Sequence, residues 1–256
     1  MNESIRTETL ETVRIIHMTG QPQRANPLNT NMMQALLAAI AEADQDSSIR
    51  TSVLVGTPQF FSVGSDILEM NDKRAIDWLE REWMDDWDQI RHSKKPIIAA
   101  VRGIAMGGGL ELALLCDLIV CANDARLSLP ETSIGVVPGA GGTQRLISLI
   151  GRALTSDMIL TGRELSGSEA AQHGLVSRVV EAEKVLEEAI SMAVQIGKRS
   201  PFATRLVREL LREASDGPIR QSLRLERLMA YMVFDSEERK ERMQKFVDTK
   251  KSKGNQ

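Results

Sequence analysis

Apolar residues recur along the chain with two periods. Short, nearly unbroken apolar runs at 12–18 (TVRIIHM), 51–57 (TSVLVGT), 95–103 (KPIIAAVRG) and 117–122 (DLIVCA) predict buried strands, and ARLSL (125–129) reads as extended. Between them the period lengthens to that of a helix. Met32, Met33, Leu36, Leu37 and Ile40 share one face of a helix over 31–44, which Asn29 or Thr30 can cap. Ile76, Leu79, Trp83, Trp87 and Ile90 predict one amphipathic helix over 72–91, with its stripe on the core. A further helix is expected over about 108–116. PETSIGVVPGAGG (130–142) reads as loop, followed by helices near 143–150 and 152–161. Ser166 and Glu169 have capping-box spacing, and Gly174 suits a helix stop.

Strand patterns cease near residue 180. Helices are expected at 182–197, at 201–214 with Ser200 and Pro201 as cap and first turn, at 218–235 and at 236–250. The change divides the chain into an α/β region, 1–197, and a helical region, 198–256. The helical region carries apolar faces: Leu206, Val207, Leu210 and Leu211, then Leu225, Leu228, Met229 and Met232. Either the core or a neighbouring subunit must cover them.

Composition narrows the function classes. The 256 residues are 42% hydrophobic and 26% charged, which is globular. A net charge of −3 makes no case for nucleic acid or an anionic membrane. No run of ~18 apolar residues suggests a membrane span, and the opening MNESIRTETLE lacks a signal peptide's apolar segment. Cys116 and Cys121 sit in apolar stretches and read as buried thiols, so a reducing, cytoplasmic location is expected. The closing KKSKGNQ reads as a solvated tail.

Familiar cofactor devices are missing from the sequence. His17, His92 and His173 are far apart and lack acids or thiols at ligand spacing, so no metal site is expected. GAGGTQ (139–144) ends on Gln144 where a dinucleotide fingerprint needs glycine. No lysine follows a glycine loop at P-loop spacing, and no Gly-x-Ser-x-Gly elbow occurs.

The remaining candidate chemistry lies in IAMGGGLELALLCD (104–117), where three glycines open a helix that buries one carboxylate among leucines. Glycine costs up to ~1 kcal/mol of helix propensity relative to alanine, and a carboxylate in apolar surroundings is unfavourable unless paired or protonated. Two readings explain the arrangement. The glycines let a helix pack closely on a strand while Glu111 makes a buried ion pair. Alternatively, they expose backbone N–H groups at a helix start, where the amide of Gly108 can hold a developing oxyanion. Glu111, one turn along, would then move a proton, its pKa raised by burial. Glu131, just after Pro130, is a second acid that could share that cleft, or a loop glutamate.

The segment KPIIAAVRGIAMGGGLELALLCDLIVCANDARLSLPETSIGVVPGAGGTQRL (95–146) resembles the crotonase superfamily, in motif most nearly the enoyl-CoA hydratases. RANPLNTNM (24–32), FFSVGSDILEM (60–70), LTGRELSGSEAAQHGLVSRVV (160–180) and FDSEERKERMQKFVDTKK (234–251) extend it over nearly the whole chain. The resemblance implies an α/β superhelix of β-β-α turns, followed by helices that assemble a trimer or a dimer of trimers. It implies a coenzyme A thioester as substrate and no separate cofactor. The amides of Ser65 and Gly108 would form the oxyanion hole, and Glu111 and Glu131 would be catalytic. Arg24, Ala25, Gly64, Asp66, Ile67, Leu68, Gly107 and Pro130 would bind substrate. Trp83, Met84 and Trp87 would border the acyl group, and Phe246 and Lys250 would reach coenzyme A on a neighbouring subunit. Ser65 departs from the commoner alanine, and Thr249 stands where many members have lysine. The implied reaction is syn hydration of a trans-2-enoyl-CoA. A Δ3,Δ2-enoyl-CoA isomerase, another acyl-CoA reaction on the same scaffold, and a non-catalytic scaffold or RNA binder are the alternatives.

Overall fold

Five consecutive buried residues in each of two strands, Thr51–Val55 and Ile97–Val101, mark the centre of a sheet covered on both faces. The structure is a computed structural model that describes residues 4–81 and 83–254. The described chain divides between Gln195 and Ile196 into two compact units.

In the first unit, strands β1 (Ile5–Leu10), β2 (Val13–Met18), β3 (Thr51–Val55), β5 (Ile97–Val101), β7 (Leu118–Ala122) and β10 (Arg178–Val180) form one sheet in that order. All its pairs are parallel except β1 with β2. Strands β4 (Phe60–Ser62), β6 (Ile104–Met106), β8 (Arg126–Ser128) and β9 (Leu165–Ser166) form a second sheet. Helix α1 (Thr30–Gln45) follows β2, capped by Asn29, whose side chain accepts from the Met32 amide at 2.9 Å. From there the chain spirals. Strands β3 and β4 are followed by helices α2 (Ile67–Met70), α3 (Ala75–Arg81) and α4 (Trp83–Arg91). Strands β5 and β6 are followed by α5 (Gly108–Leu115), and β7 and β8 by α6 (Gly142–Thr161). Each turn adds one strand to each sheet and then a helix. Helix α7 (Gly167–Gln172) opens with the expected capping box of Ser166 and Glu169. Helix α8 (Val185–Gly197) crosses the division between the units.

Several expectations change. The stripe expected over one helix at 72–91 is split between α3 and α4. Helix α4 packs on α1 and α5 and buries Trp87 and Ile90, whereas Ile76 and Leu79 of α3 stay 45% and 71% exposed. Apolar spacing defines a face without specifying what covers it. Strand β1 follows no apolar pattern because it is a largely exposed edge strand that pairs only with β2. Strands β4, β6, β9 and β10 have two or three residues, too few to display a period. The two helices expected near 143–150 and 152–161 are both present: the span α6 is broken between them at Gly151, whose backbone (φ 76°, ψ 165°) is not helical. Among the described residues, no helix is long and apolar enough to cross a membrane. No group of three or more His, Cys, Asp or Glu among the described residues could hold a metal ion.

The second unit contains α9 (Pro201–Asp216), α10 (Ile219–Phe234) and α11 (Glu237–Gly254). Ser200 caps α9 by accepting from the Ala203 amide at 3.2 Å. Helix α11 continues to Gly254, through residues expected to fray, and Glu237–Lys240 and Glu238–Arg242 pairs lie along its first two turns.

Candidate active site

The glycine triplet is the tight entrance to α5. Gly107 has φ 55° and ψ −132°, a conformation that strains any residue with a Cβ. Its N–H donates to the Ser128 carbonyl at 2.9 Å, and its carbonyl accepts from Leu110 and Glu111 at 2.9 and 3.0 Å. The carbonyl of that peptide points into α5, so the Gly108 N–H points out of the helix start. Gly109 packs against β4, and a Cβ there would lie 2.1 Å from the Ser62 carbonyl oxygen.

A second free amide lies beside the first. The Gly64 carbonyl accepts from the Leu28 amide at 2.8 Å, which turns the Ser65 N–H of the same peptide the other way. A Cβ built on Gly108 would lie 3.4 Å from Ser65 N, and one on Gly64 would lie 2.6 Å from Gly108 N. Neither amide makes a hydrogen bond among the described residues. Trp87 lies beneath, with its Cη2 also 3.4 Å from the Gly108 Cβ position.

Glu111 is 3% exposed. Its Oε1 accepts from the amides of Ala140 and Gly142, both at 2.8 Å. Burial pushes its carboxyl up, and the two amides and the Arg145 charge partly oppose this. Glu131 opens a single 3-10 turn, Glu131–Ile134, behind Pro130. Its Oε1 lies 3.4 Å from where a Gly107 Cβ would be, so its carboxylate borders the glycine entrance. Both oxygens are buried, and no hydrogen bond reaches either among the described residues. Burial pushes the Glu131 carboxyl up from 4.5 to about 7, partly opposed by its own amide and reinforced by the Glu111 charge. The two acids therefore share one desolvated site and have different support.

This shift has a consequence for stability. Between pH 4.5 and about 7 the folded chain holds a proton at Glu131 that the unfolded chain has released. Stability from this residue is thus lost as pH rises through that window. At ~1.4 kcal/mol per pKa unit the loss is up to ~3 kcal/mol, reduced by solvent at this half-buried position. Glu131→Gln is expected to melt above the wild type at about pH 8 and to converge with it at about pH 4. Thermal melts at both pH values check this.

The other expected site residues are distributed around these groups. Arg24 donates to Asp66 Oδ1 at 2.6 Å, and that oxygen also accepts from the Leu68 amide at 3.0 Å, capping α2. Asp66 is thus committed to holding the segment after Ser65. Ala25 has φ 60°, and its carbonyl accepts from Val63 at 3.2 Å. Ile67 and Leu68 are exposed on α2. The side chains of Trp83 and Met84 lie outside the described residues. Phe246 and Lys250 belong to the second unit, with the Lys250 ammonium 5.6 Å from the Phe246 ring centroid. Sequence reasoning missed the 139–142 segment as the partner of Glu111. The signal for it is the glycine cluster at 139, 141 and 142, which fails as a dinucleotide motif and serves instead to bring main-chain N–H groups to a carboxylate.

Comparison with known proteins gives this geometry a family. Residues 8–256 match the family model described as "Enoyl-CoA hydratase/isomerase". The chain is 38% identical to a Rhizobium meliloti (strain 1021) protein named a probable enoyl-CoA hydratase, covering 98% of this chain and 97% of that one. It is 37% identical to a Mycobacterium bovis protein named likewise, over 96% and 95%. A solved structure of an enoyl-CoA hydratase subunit I from Geobacillus kaustophilus HTA426 superposes with a TM-score of 0.92 at 39% identity, over 96% and 95%. The spiral is accordingly the crotonase-like fold. The chain belongs to the enoyl-CoA hydratase/isomerase family.

Proposed function

We propose that this chain is an enoyl-CoA hydratase, adding water reversibly across the double bond of a trans-2-enoyl-CoA. One observation carries the reading: two desolvated carboxylates lie beside two main-chain amides that have no hydrogen-bond partner among the described residues. The amides of Ser65 and Gly108 hold the thioester oxygen as charge develops on it, which makes the β-carbon electrophilic. One such donor is worth roughly 3–4 kcal/mol of barrier. Coenzyme A enters as part of the substrate, and no resident cofactor or metal takes part.

The unequal support of the two acids suggests how they divide the work. Glu111, with two N–H groups on one oxygen, is suited to the ionised form. Glu131, with none, is suited to holding a proton near neutral pH. Glu111 accepts the proton of the water as its oxygen bonds to the β-carbon. Glu131 gives its proton to the α-carbon from the same face, so addition is syn. Proton exchange between the acids and solvent then restores the starting state. Hydration kcat/KM is expected to fall as pH rises past about 7, where Glu131 ionises, and to fall on the acid side as Glu111 is protonated. Loss of the conjugated absorbance of crotonyl-CoA, followed across pH, tests both points. No bleaching at any pH refutes the hydratase reading, and a flat alkaline limb refutes the assignment of Glu131.

The acyl group enters past Trp87, while Arg24 and the α2 residues border the thioester end. Val207, Leu211, Leu228 and Met232 of the second unit are each more than half exposed. Further copies of the chain cover them in a trimer or a dimer of trimers, in which Phe246 and Lys250 meet a neighbour's coenzyme A. Light scattering on the eluting protein reads the mass directly, and a monomer at micromolar concentration counts against this assembly.

A further inference from the structure

Glu111 is held by a loop, and the loop is held in turn by Arg145 on the first turn of α6. The Arg145 main-chain N–H donates to the Gly141 carbonyl at 3.0 Å, and its Nη1 donates to the Ala140 carbonyl at 2.6 Å. In a trans peptide the carbonyl and the following N–H point in opposite directions. The main-chain bond, which any residue at position 145 other than proline would make, draws the Gly141 carbonyl into the helix and turns the Gly142 N–H away from it, and that N–H donates to Glu111 Oε1 at 2.8 Å. The guanidinium lies across Gly141, where a Cβ would come within 2.0 Å of Nη1. Gly141 has φ 96° and no side chain, so it accepts both the turn and the close approach.

We propose that Arg145 is a positioning residue for Glu111: its guanidinium holds the Ala140 carbonyl and lies across Gly141, so that the loop between the two N–H groups that reach the Glu111 carboxylate stays in place. This deepens the hydratase reading and rests on the proton-acceptor role given there to Glu111. The lock also faces Glu111 with a positive charge, which favours the ionised form against burial. Few other charged groups face Glu111. Glu131 approaches it from the 3-10 turn. Strands β4 (FFS) and β6 (IAM) carry no titratable residue. On α4, Asp85 and Asp88 are exposed and Asp86 is half-buried, while Trp87 is set against Gly108. Removing Arg145 should therefore make Glu111 easier to protonate and less well aimed.

The test has one readout that is independent of turnover. Infrared titration of the substrate-free full chain, with the Glu111 band assigned by its loss in Glu111→Gln, follows the protonation of that carboxyl. In Arg145→Gln the midpoint is expected to rise by roughly one pH unit. The acid limb of kcat/KM for crotonyl-CoA should move with it, and kcat should fall at least tenfold while KM changes little. Arg145→Lys keeps the charge without the planar fork and is expected to recover part of both effects. An unmoved Glu111 midpoint in Arg145→Gln overturns the proposal, even if activity falls. A moved midpoint in a protein whose wild type does not hydrate crotonyl-CoA supports the lock and removes the hydratase reading. If Arg145→Gln does not fold by circular dichroism, Arg145→Lys decides: a smaller rise supports the lock, and no rise overturns it.

Discussion

Glu111→Gln and Glu131→Gln are each expected to fold as the wild type does and to lose roughly 10²–10⁴-fold in kcat for crotonyl-CoA hydration. Glutamine keeps the shape of either side chain and removes its ability to exchange a proton at the working pH. At Glu111 the remaining amide oxygen can still accept from Ala140 and Gly142, so the loop keeps its partner. At Glu131 neither carboxylate oxygen has a hydrogen bond to lose among the described residues. Both losses should therefore appear in kcat, with KM little affected and the native fold kept. The double variant should be scarcely worse than either single one, because the two groups act on the same water and the same transition state. Stopped-flow measurement of all three variants, beside circular dichroism, checks this. Near-wild-type activity in either single variant would falsify the paired role, and a large KM effect alone would make the residue a binding group.

The second large effect separates two neighbouring glycines. Gly109→Ala is expected to destabilise the chain by ~3 kcal/mol or more, because its methyl group meets the backbone of Ser62 at 2.1 Å, where little can yield. Gly108→Ala meets nothing closer than 3.4 Å and is expected to fold at close to wild-type stability. Its methyl group instead stands beside Ser65 N, in the space proposed for the thioester oxygen. A kcat/KM loss of about 10²-fold or more is expected, comparable to removal of an oxyanion donor. Denaturant melts and initial rates of the two variants give the comparison. A stable, active Gly108→Ala would show that the oxygen binds elsewhere.

These two substitutions answer what the triplet leaves open as sequence. Close packing and an exposed amide both explain three glycines before a helix, and each applies at a different position. Gly109 is there for packing, Gly108 leaves the amide open, and Gly107 supplies the positive φ that turns the chain into the helix. Nothing in the letters distinguishes them, since the difference lies in what each Cβ would touch.

Local chemistry settled much of the rest. The central parallel strands of the large sheet, β2, β3, β5 and β7, are legible because burial on both faces requires continuous apolar runs. The caps at Asn29, Ser166 and Ser200 are legible because they satisfy amides within the next few residues. The buried carboxylate of Glu111 is legible because an acid among leucines is unusual wherever it occurs. Tertiary structure alone brought Glu131 to the Gly107 entrance, Ser65 beside Gly108, and the Ala140 and Gly142 amides onto Glu111. It also divided the tryptophan stripe into a packed half and an exposed half. Contacts between residues 24 to 43 positions apart leave no local period, and short strands leave too little. The sequence by itself therefore determined which groups could do chemistry, while the packing of the β-β-α turns decided which of them meet.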